Sequence, residues 1–572
     1  MKPALRMAAA FVLLATAGCV SLPDEGPVAT VPDEVSSPTP GVFDYNPEPP
    51  KPGDQPAAIV NGFLDALRET PLTLTAARSF LTAGATWAPS RTIVYDDGSL
   101  STEVSGDQAT VRLGATVELD SRGSWLGDPS EGAGLTFDLN LVQEDGEWRI
   151  SDPPDALIVS RTHFEARFVR YDLHFFDPSA RILVPEPVYL PAGDEVPSLL
   201  VSGLLAGPDA SLRTVERTFY PTGTRLELEV SVEGGIADVS LSEEVLDADA
   251  GQLDLALAQL AWTLRQVPGI QQMRVTVDGT PVERTTGASA RNLSGWTAYD
   301  PAVSAADRDL YALEGRGVVS IAEGADAVTL APLRARARSL AVSLGVAGES
   351  HLAAVTFDGT RVLTRPTDSS DPPGRLSTGT DLLRPVYDRF DLVWLVDRTP
   401  GGARVTVKPP VGRARVLDVP GISGEQVTAF ELSRDGTRLA AVVDGSVMLA
   451  RVSRSETGLA TSAQAARPVT LGDAGRAVDL AWTTPSTLGV LVRLGRTISQ
   501  VRLVSVDGSL LLSGEAALEP LFERAVNLVT WPGPDAPVYL QTGAGVLWRV
   551  SSTGQWVTTP VPTGLVAPTF AG

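Results

Sequence analysis

Apolar positions recur at helical spacing early in the folded part of this chain, alternate as strands through its middle, and settle into repeated strand pairs towards its end. Pro56 suits a first helical turn, and Ile59, Val60, Phe63, Leu64 and Leu67 then share one helical face. The spacing predicts a second helix over Ala76 to Leu81. Strands follow at Arg91 to Tyr95 and Ala109 to Leu119, with a turn at Asp97-Gly98. Leu135 to Val142, the turn Asp145-Gly146, and Trp148 to Ile150 predict a further hairpin. Two helices and a curved antiparallel sheet make residues 56–160 an α+β domain.

A second α+β pattern occupies residues 161–290. Val169 to Phe176 and Ile182 to Leu190 read as strands, and Pro197 to Leu205 as a helix stopped by Gly207-Pro208. Leu226 to Val232 and Ile236 to Leu241 form a predicted hairpin about Gly234-Gly235. Leu253, Leu257, Leu260, Ala261, Leu264 and Val267 line a longer helix ended by Pro268-Gly269, and Met273 to Val277 closes the sheet.

From residue 300 to 572 helical periodicity disappears and an internal repeat takes over. Its clearest copy is Val427 to Val443, an apolar strand, an Asp-Gly turn and a second apolar strand. Looser copies lie at Ala341 to Leu363, near Leu383, at Ala477 and at Val526. The starts are about 43 to 50 residues apart, the period of four-stranded propeller blades. Five copies are readable, and Asp309 to Leu330 supplies a sixth, with closure shared between the two ends. The expectation is a β-propeller of five to six blades; a pair of β-sandwiches is the alternative, and sandwiches rarely keep so even a period.

The N-terminus has another character. Lys2 and Arg6 precede the apolar run Met7 to Ala17, which is too short for a spanning helix of roughly 20 residues and suits a signal peptide. Thr16, Ala17, Gly18 and Cys19 resemble the bacterial lipobox, with Thr16 where Leu is usual. The resemblance implies removal of residues 1–18 and attachment of lipid to Cys19, the only cysteine. Two or more acyl chains give lasting attachment where one gives only marginal binding. Val20 to Pro56 holds ten prolines, seven acidic residues and the single base Lys51. Residues 19–55 are therefore read as the lipidated cysteine and a linker, with an extended reach on the order of 110 Å.

Composition narrows the function. The 46 basic and 69 acidic residues leave a net charge of −23, which repels nucleic acid and anionic lipid alike. One cysteine excludes an internal disulfide and a cysteine-rich metal site. His163, His174 and His351 each stand without a second ligand at metal-binding spacing, so structural roles are expected, with no metal and no cofactor. There is no phosphate loop, HExxH or GxSxG in a strand-to-helix context. Asp96-Asp97 and Glu243-Glu244 are carboxylate pairs of the type glycosidases use, yet both adjoin turns or helix starts, where acids favour solvent and the helix dipole. The chain is expected not to be an enzyme. Trp87, Trp125, Trp296, Trp394 and Trp531 are candidates for surface recognition, with blade cores as the competing reading.

Residues 56–160 are similar to cone-shaped domains of the nuclear-transport-factor-two type. In the second domain, Leu204-Leu205-Ala206-Gly207-Pro208, Tyr220-Pro221-Thr222-Gly223-Thr224 and Ala237-Asp238-Val239-Ser240-Leu241 resemble the GerMN domain of spore germination proteins. So do Trp262-Thr263-Leu264, Val267-Pro268-Gly269-Ile270 and Val275-Thr276-Val277-Asp278-Gly279. With Ile59 to Ala66 and Ala77 to Thr82 ahead of it and a propeller behind, the whole arrangement resembles the LpqB lipoprotein family of actinobacteria. That resemblance implies an accessory lipoprotein on the outer face of the cytoplasmic membrane. It also implies a partner, the extracytoplasmic domain of the sensor histidine kinase MtrB, in two-component control of cell-wall homeostasis and division. The rival expectation is a module that binds peptidoglycan or another envelope glycan.

Overall fold

A computed structural model describes residues 45–572, apart from residues 128–131, 283–289, 303–308, 323–325, 331, 346–348, 410–411, 472–474, 510–516, 534 and 560–563. The signal peptide, Cys19 and most of the linker lie outside the described residues. Among the described residues no helix is long and apolar enough to cross a membrane.

The N-terminal domain begins with the helix Pro56–Ala66, which buries Ile59, Val60, Phe63 and Ala66 as its spacing requires. The second predicted helix contracts to Thr75–Arg78. The run Ala109 to Leu119 is not one strand. It breaks at Ala115, whose φ is 38°, into Gln108–Leu113 and Thr116–Leu119, which join different sheets. One sheet orders Trp125–Gly127, Thr116–Leu119, Thr92–Tyr95 and Leu157–Ser160; the other orders Leu100–Ser105, Gln108–Leu113, Leu135–Glu144 and Glu147–Ile150. The wholly antiparallel sheet expected from the hairpins needs correction. Thr92–Tyr95 pairs in parallel with Leu157–Ser160, a strand without turn signals that returns 65 residues later through the register Ile93↔Ile158. The helix Arg161–Arg167 follows at once, and its Phe164, with Phe168, is buried in this domain's core.

In the second domain Phe168–Phe176 pairs antiparallel with Leu183–Pro191. The helices Val196–Leu205 and Ala250–Leu264 pack on one another and on this ribbon. Asp249 starts the longer helix with a capping box: it accepts from the N–H groups of Gly251 and Gln252 at 2.8 and 2.9 Å, while Gln252 Oε1 accepts from Asp249 N–H at 3.1 Å. That helix carries the crossover between the parallel strands Ile236–Ser240 and Gln272–Val277. The predicted strand over Leu226 to Val232 shrinks to Ser231–Glu233, and Leu228 is left exposed.

The third domain is a ring of six sheets. Five lead with Ala337–Val342, Val386–Tyr387, Val427–Leu432, Arg476–Thr484 and Ala525–Val529 as innermost strands. Each touches the next, and the ring is completed by Val566–Thr569 between the first and last of them. Val566–Thr569 is itself paired with Leu310–Glu314, so the closing sheet combines the beginning and the end of the domain. Its register includes Tyr311↔Thr569. In the Val427 repeat, strands Val427–Leu432 and Arg438–Val443 flank a turn that Asp435 ties together by accepting from Ser433 Oγ and Thr437 N–H, each at 2.7 Å.

Candidate functional site

The Asp435-Gly436-Thr437-Arg438 turn delivers the guanidinium of Arg438 into the seam between the propeller and the second domain. Opposite it lies Leu183–Pro191, a strand buried on both faces whose one acidic residue is Glu186. Arg438 is fully buried and donates to Glu186 Oε1 at 2.5 Å, to Pro185 O at 2.6 Å and to Asp435 Oδ2 at 3.1 Å. Arg451 reaches the same carboxylate at 2.8 Å and Glu216 Oε1 at 3.3 Å.

Burial opposes the charge on Glu186, but Arg451 and Arg438 outweigh it and hold this carboxyl below its usual range. Burial and the Glu186 charge push Glu216 well above its own. The two guanidiniums thus face Glu186, Glu216 and Asp435 in one buried cluster. A buried ion pair stabilises little net, yet losing one partner is costly because the other stays buried and charged. The cluster therefore fixes geometry more than it adds stability.

Further polar contacts extend the seam. Arg170 donates to Ser486 Oγ at 2.8 Å, the Tyr189 and Ser509 hydroxyls lie 2.5 Å apart, and Arg389 donates to Arg181 O at 3.1 Å. A cavity of about 360 Å³ remains where all three domains meet. Arg122 and Trp125 of the first, Glu186 and Asp209 of the second, and Arg451 and Asp507 of the third line it.

A second charged group sits inside the ring. Arg384 pairs with Glu431 and lies 3.8 Å from Asp479 Oδ1, while the Leu528 N–H donates to Asp479 Oδ2 at 2.8 Å. Burial lifts Glu431 to about 7 against the pull of Arg384, with Asp479 adding to the rise. These three groups, from three neighbouring sheets, satisfy one another across the channel.

The carboxylate pairs singled out in the sequence do structural work. Asp96 accepts from Arg161 Nε at 2.5 Å, and Asp97 accepts from Thr162 N–H and Oγ1 at 3.0 and 2.8 Å, so both hold the start of the Arg161–Arg167 helix. Glu243 and Glu244 open the 3-10 turn Glu243–Asp247, and Glu244 lies 3.4 Å from Arg225. The two pairs belong to different domains. Burial, aided by Arg68 and Arg167, lowers His163 to about 4, and burial lowers His174 to about 4. His351 turns Nδ1 to Glu349 O at 2.9 Å. Among the described residues no three His, Cys, Asp or Glu side chains are grouped to hold a metal ion. Trp87, Trp394 and Trp531 are buried, and Trp394 Nε1 donates to Asp388 Oδ2 at 2.9 Å. Trp125 packs on Tyr189, and Trp296 donates to Asp254 at 3.1 Å. Sequence reasoning missed the seam. Its one local signal is an acid, Glu186, inside the otherwise apolar run LVPEPVYL.

Comparison with known proteins covers the same three regions. The family model "Lipoprotein LpqB, N-terminal domain" matches residues 49–165, "Sporulation and spore germination" matches 172–283, and "Lipoprotein LpqB beta-propeller domain" matches 317–571. Lipoprotein LpqB of Rhodococcus opacus (strain B4) is 30% identical over 531 residues, covering 87% of this chain and 86% of its own. Lipoprotein LpqB of Cutibacterium acnes is 26% identical and covers 97% of each chain. Among solved structures, the first GerMN domain of GerM from Bacillus subtilis is 19% identical, covering 22% of this chain and 97% of that one with a TM-score of 0.19. TolB from Acinetobacter baumannii is 13% identical, covering 54% and 84%, with a TM-score of 0.35. The chain belongs to the LpqB lipoprotein family.

Proposed function

We propose that this protein is an accessory lipoprotein, held by lipid on Cys19 at the outer face of the cytoplasmic membrane. There it binds the extracytoplasmic domain of a sensor histidine kinase of the MtrB type and biases its conformation. Family membership over most of the chain supports the lipoprotein part of this reading. The seam around Arg438 supports the binding part: it ties two modules into one body. A ligand shifts a two-state partner only by its difference in affinity for the two states. A body whose binding surfaces are fixed relative to each other can express such a difference. The N-terminal domain, read as a cone of the nuclear-transport-factor-two type, serves here as a scaffold between linker and platform.

The test places the full-length lipidated chain and the kinase in the same proteoliposomes. The expected result is crosslinking between the two and a change in autophosphorylation of at least about fivefold, the lower end of ordinary coupling. Unchanged autophosphorylation with no crosslink overturns the proposal. Cys19→Ala should abolish acyl labelling and release the chain from membranes; persistent labelling would refute the anchor assignment.

A further inference from the structure

The outer rim of the propeller carries a cleft that neither the seam nor the channel uses. It has a volume of about 610 Å³, within the range of about 300–1,000 Å³ usual for small-ligand sites. Its floor is Trp548 and Trp556, on the neighbouring strands Leu547–Val550 and Trp556–Thr558. Trp556 is paired with Val550, two residues from Trp548, so both indoles stand on one face of the sheet. Its wall is the segment holding Glu519, Pro520, Phe522 and Glu523, which reaches the next sheet through the bridges Arg502↔Ala517 and Ser499↔Leu521. Phe522 is 75% exposed, an unusual position for a phenylalanine.

The hydrogen bonding of the cleft selects among occupants. Trp556 Nε1 donates to Glu519 O at 2.7 Å, and Trp548 Nε1 donates to Glu523 Oε2 at 3.3 Å. Both indole N–H groups are thus engaged, and the half-buried indoles rest on the core of this sheet while lining the cleft. An aromatic-lined groove could take a proline-rich peptide, but specific docking there also calls for donors to the peptide carbonyls, and these two indole donors are taken. An anionic polymer meets Glu519, Glu523 and a chain charge of −23. A neutral sugar ring has what the cleft offers. Its C–H face, weakly positive, stacks on the negative face of an aromatic ring, and its hydroxyls donate to carboxylate oxygens.

We propose that the Trp548–Trp556–Phe522 cleft is a binding site for a neutral glycan chain, with the indoles as stacking floor and Glu519 and Glu523 accepting from sugar hydroxyls. The proposal does not rest on the kinase contact proposed above. The experiment titrates the full chain in detergent with an N-acetylglucosamine hexamer and with a glucose hexamer, followed by calorimetry and tryptophan fluorescence. A proline-rich basic peptide and polygalacturonate are run in parallel. Saturable binding of at least one neutral hexamer is expected. Phe522→Ala should weaken it about tenfold, an effect of one aromatic contact, with no change in the unfolding midpoint because the side chain is exposed. Trp556→Ala should abolish it. Failure of both hexamers to bind, equal affinity in Phe522→Ala, or saturable binding of the peptide or the polyanion in their place would each overturn the proposal.

Discussion

The second domain meets the N-terminal domain through aromatic rings and meets the propeller through buried charge. On one side Tyr189 packs against Trp125 at 5.9 Å and Phe164 at 5.6 Å, and its N–H donates to Gly123 O at 2.8 Å. On the other side Glu186, three residues earlier on the same strand, is held by Arg438 and Arg451. Rings tolerate small shifts because their contacts are many and weakly directional. Paired guanidiniums and carboxylates do not, since a lost partner leaves a charge stranded. One strand therefore carries an adaptable joint and a fixed one, and the fixed one faces the larger platform.

The sharpest way to break this contrast is Arg438→Ala. It leaves Asp435 without its cation and Glu186 with Arg451 alone, and should cost about 3–5 kcal/mol in denaturant unfolding of the seam. Arg438→Met should cost distinctly less when combined with Glu186→Gln, and an equal cost would mean that charge is not what fixes the joint. Phe164→Ala tests the aromatic side. A loss of about 3 kcal/mol is expected, at the lower end for buried phenylalanine because neighbouring rings can close in. Proteolysis should then release the first domain while the propeller stays protected.

Gly123→Ala is a smaller perturbation. Gly123 has φ +83°, and an added Cβ would meet Tyr189 O at 2.4 Å. A cost of about 2 kcal/mol is expected, with loss of hydrogen-exchange protection at the Tyr189 amide.

The smallest effect concerns pH and the channel. Burial first, then Asp479, lifts Glu431 from 4.5 to about 7 against Arg384. A raised folded-state pKa gives stability that is complete below the unfolded value and lost as pH rises through the folded one. Stability should therefore decline between about pH 4.5 and 7, and Glu431→Gln should flatten that slope. Glu216, raised by burial and by Glu186, acts in the same direction at the seam, whereas Glu186, lowered by its arginines, loses its contribution only in acid. An unchanged slope in Glu431→Gln would assign the pH dependence to the other carboxyls raised by burial, Asp479 beside it and Glu216 and Asp507 elsewhere.

What the sequence discloses and what it hides follow a physical line. The helix Ala250–Leu264 is legible because Leu257, Leu260, Ala261 and Leu264 share a face and Pro268-Gly269 follows it. The six-sheet ring is legible because each sheet repeats a local strand–turn–strand unit. The parallel pairing of Thr92–Tyr95 with Leu157–Ser160 is hidden, since no turn joins the two and neither strand's pattern specifies its neighbour. Arg438 and Glu186 stand 252 residues apart, and nothing near either announces the other. Asp96 and Asp97 had the composition of a reactive pair, and only their placement beside Arg161 and Thr162 shows them tethering a helix. The rim cleft needed the register Val550↔Trp556 and a segment from another sheet before its aromatics could be seen as one surface.

The strand Val566–Thr569, which pairs with Leu310–Glu314, has a consequence for how the chain is made. Its partner leaves the ribosome 258 residues earlier, as the register Tyr311↔Thr569 shows. Until then Leu310–Glu314 presents an open edge to any other strand in reach, the usual route to misassembly. Contacts of such long separation form late. An unfinished ring must therefore be shielded while it waits, and quality control has a simple thing to inspect: whether the closing strand has arrived.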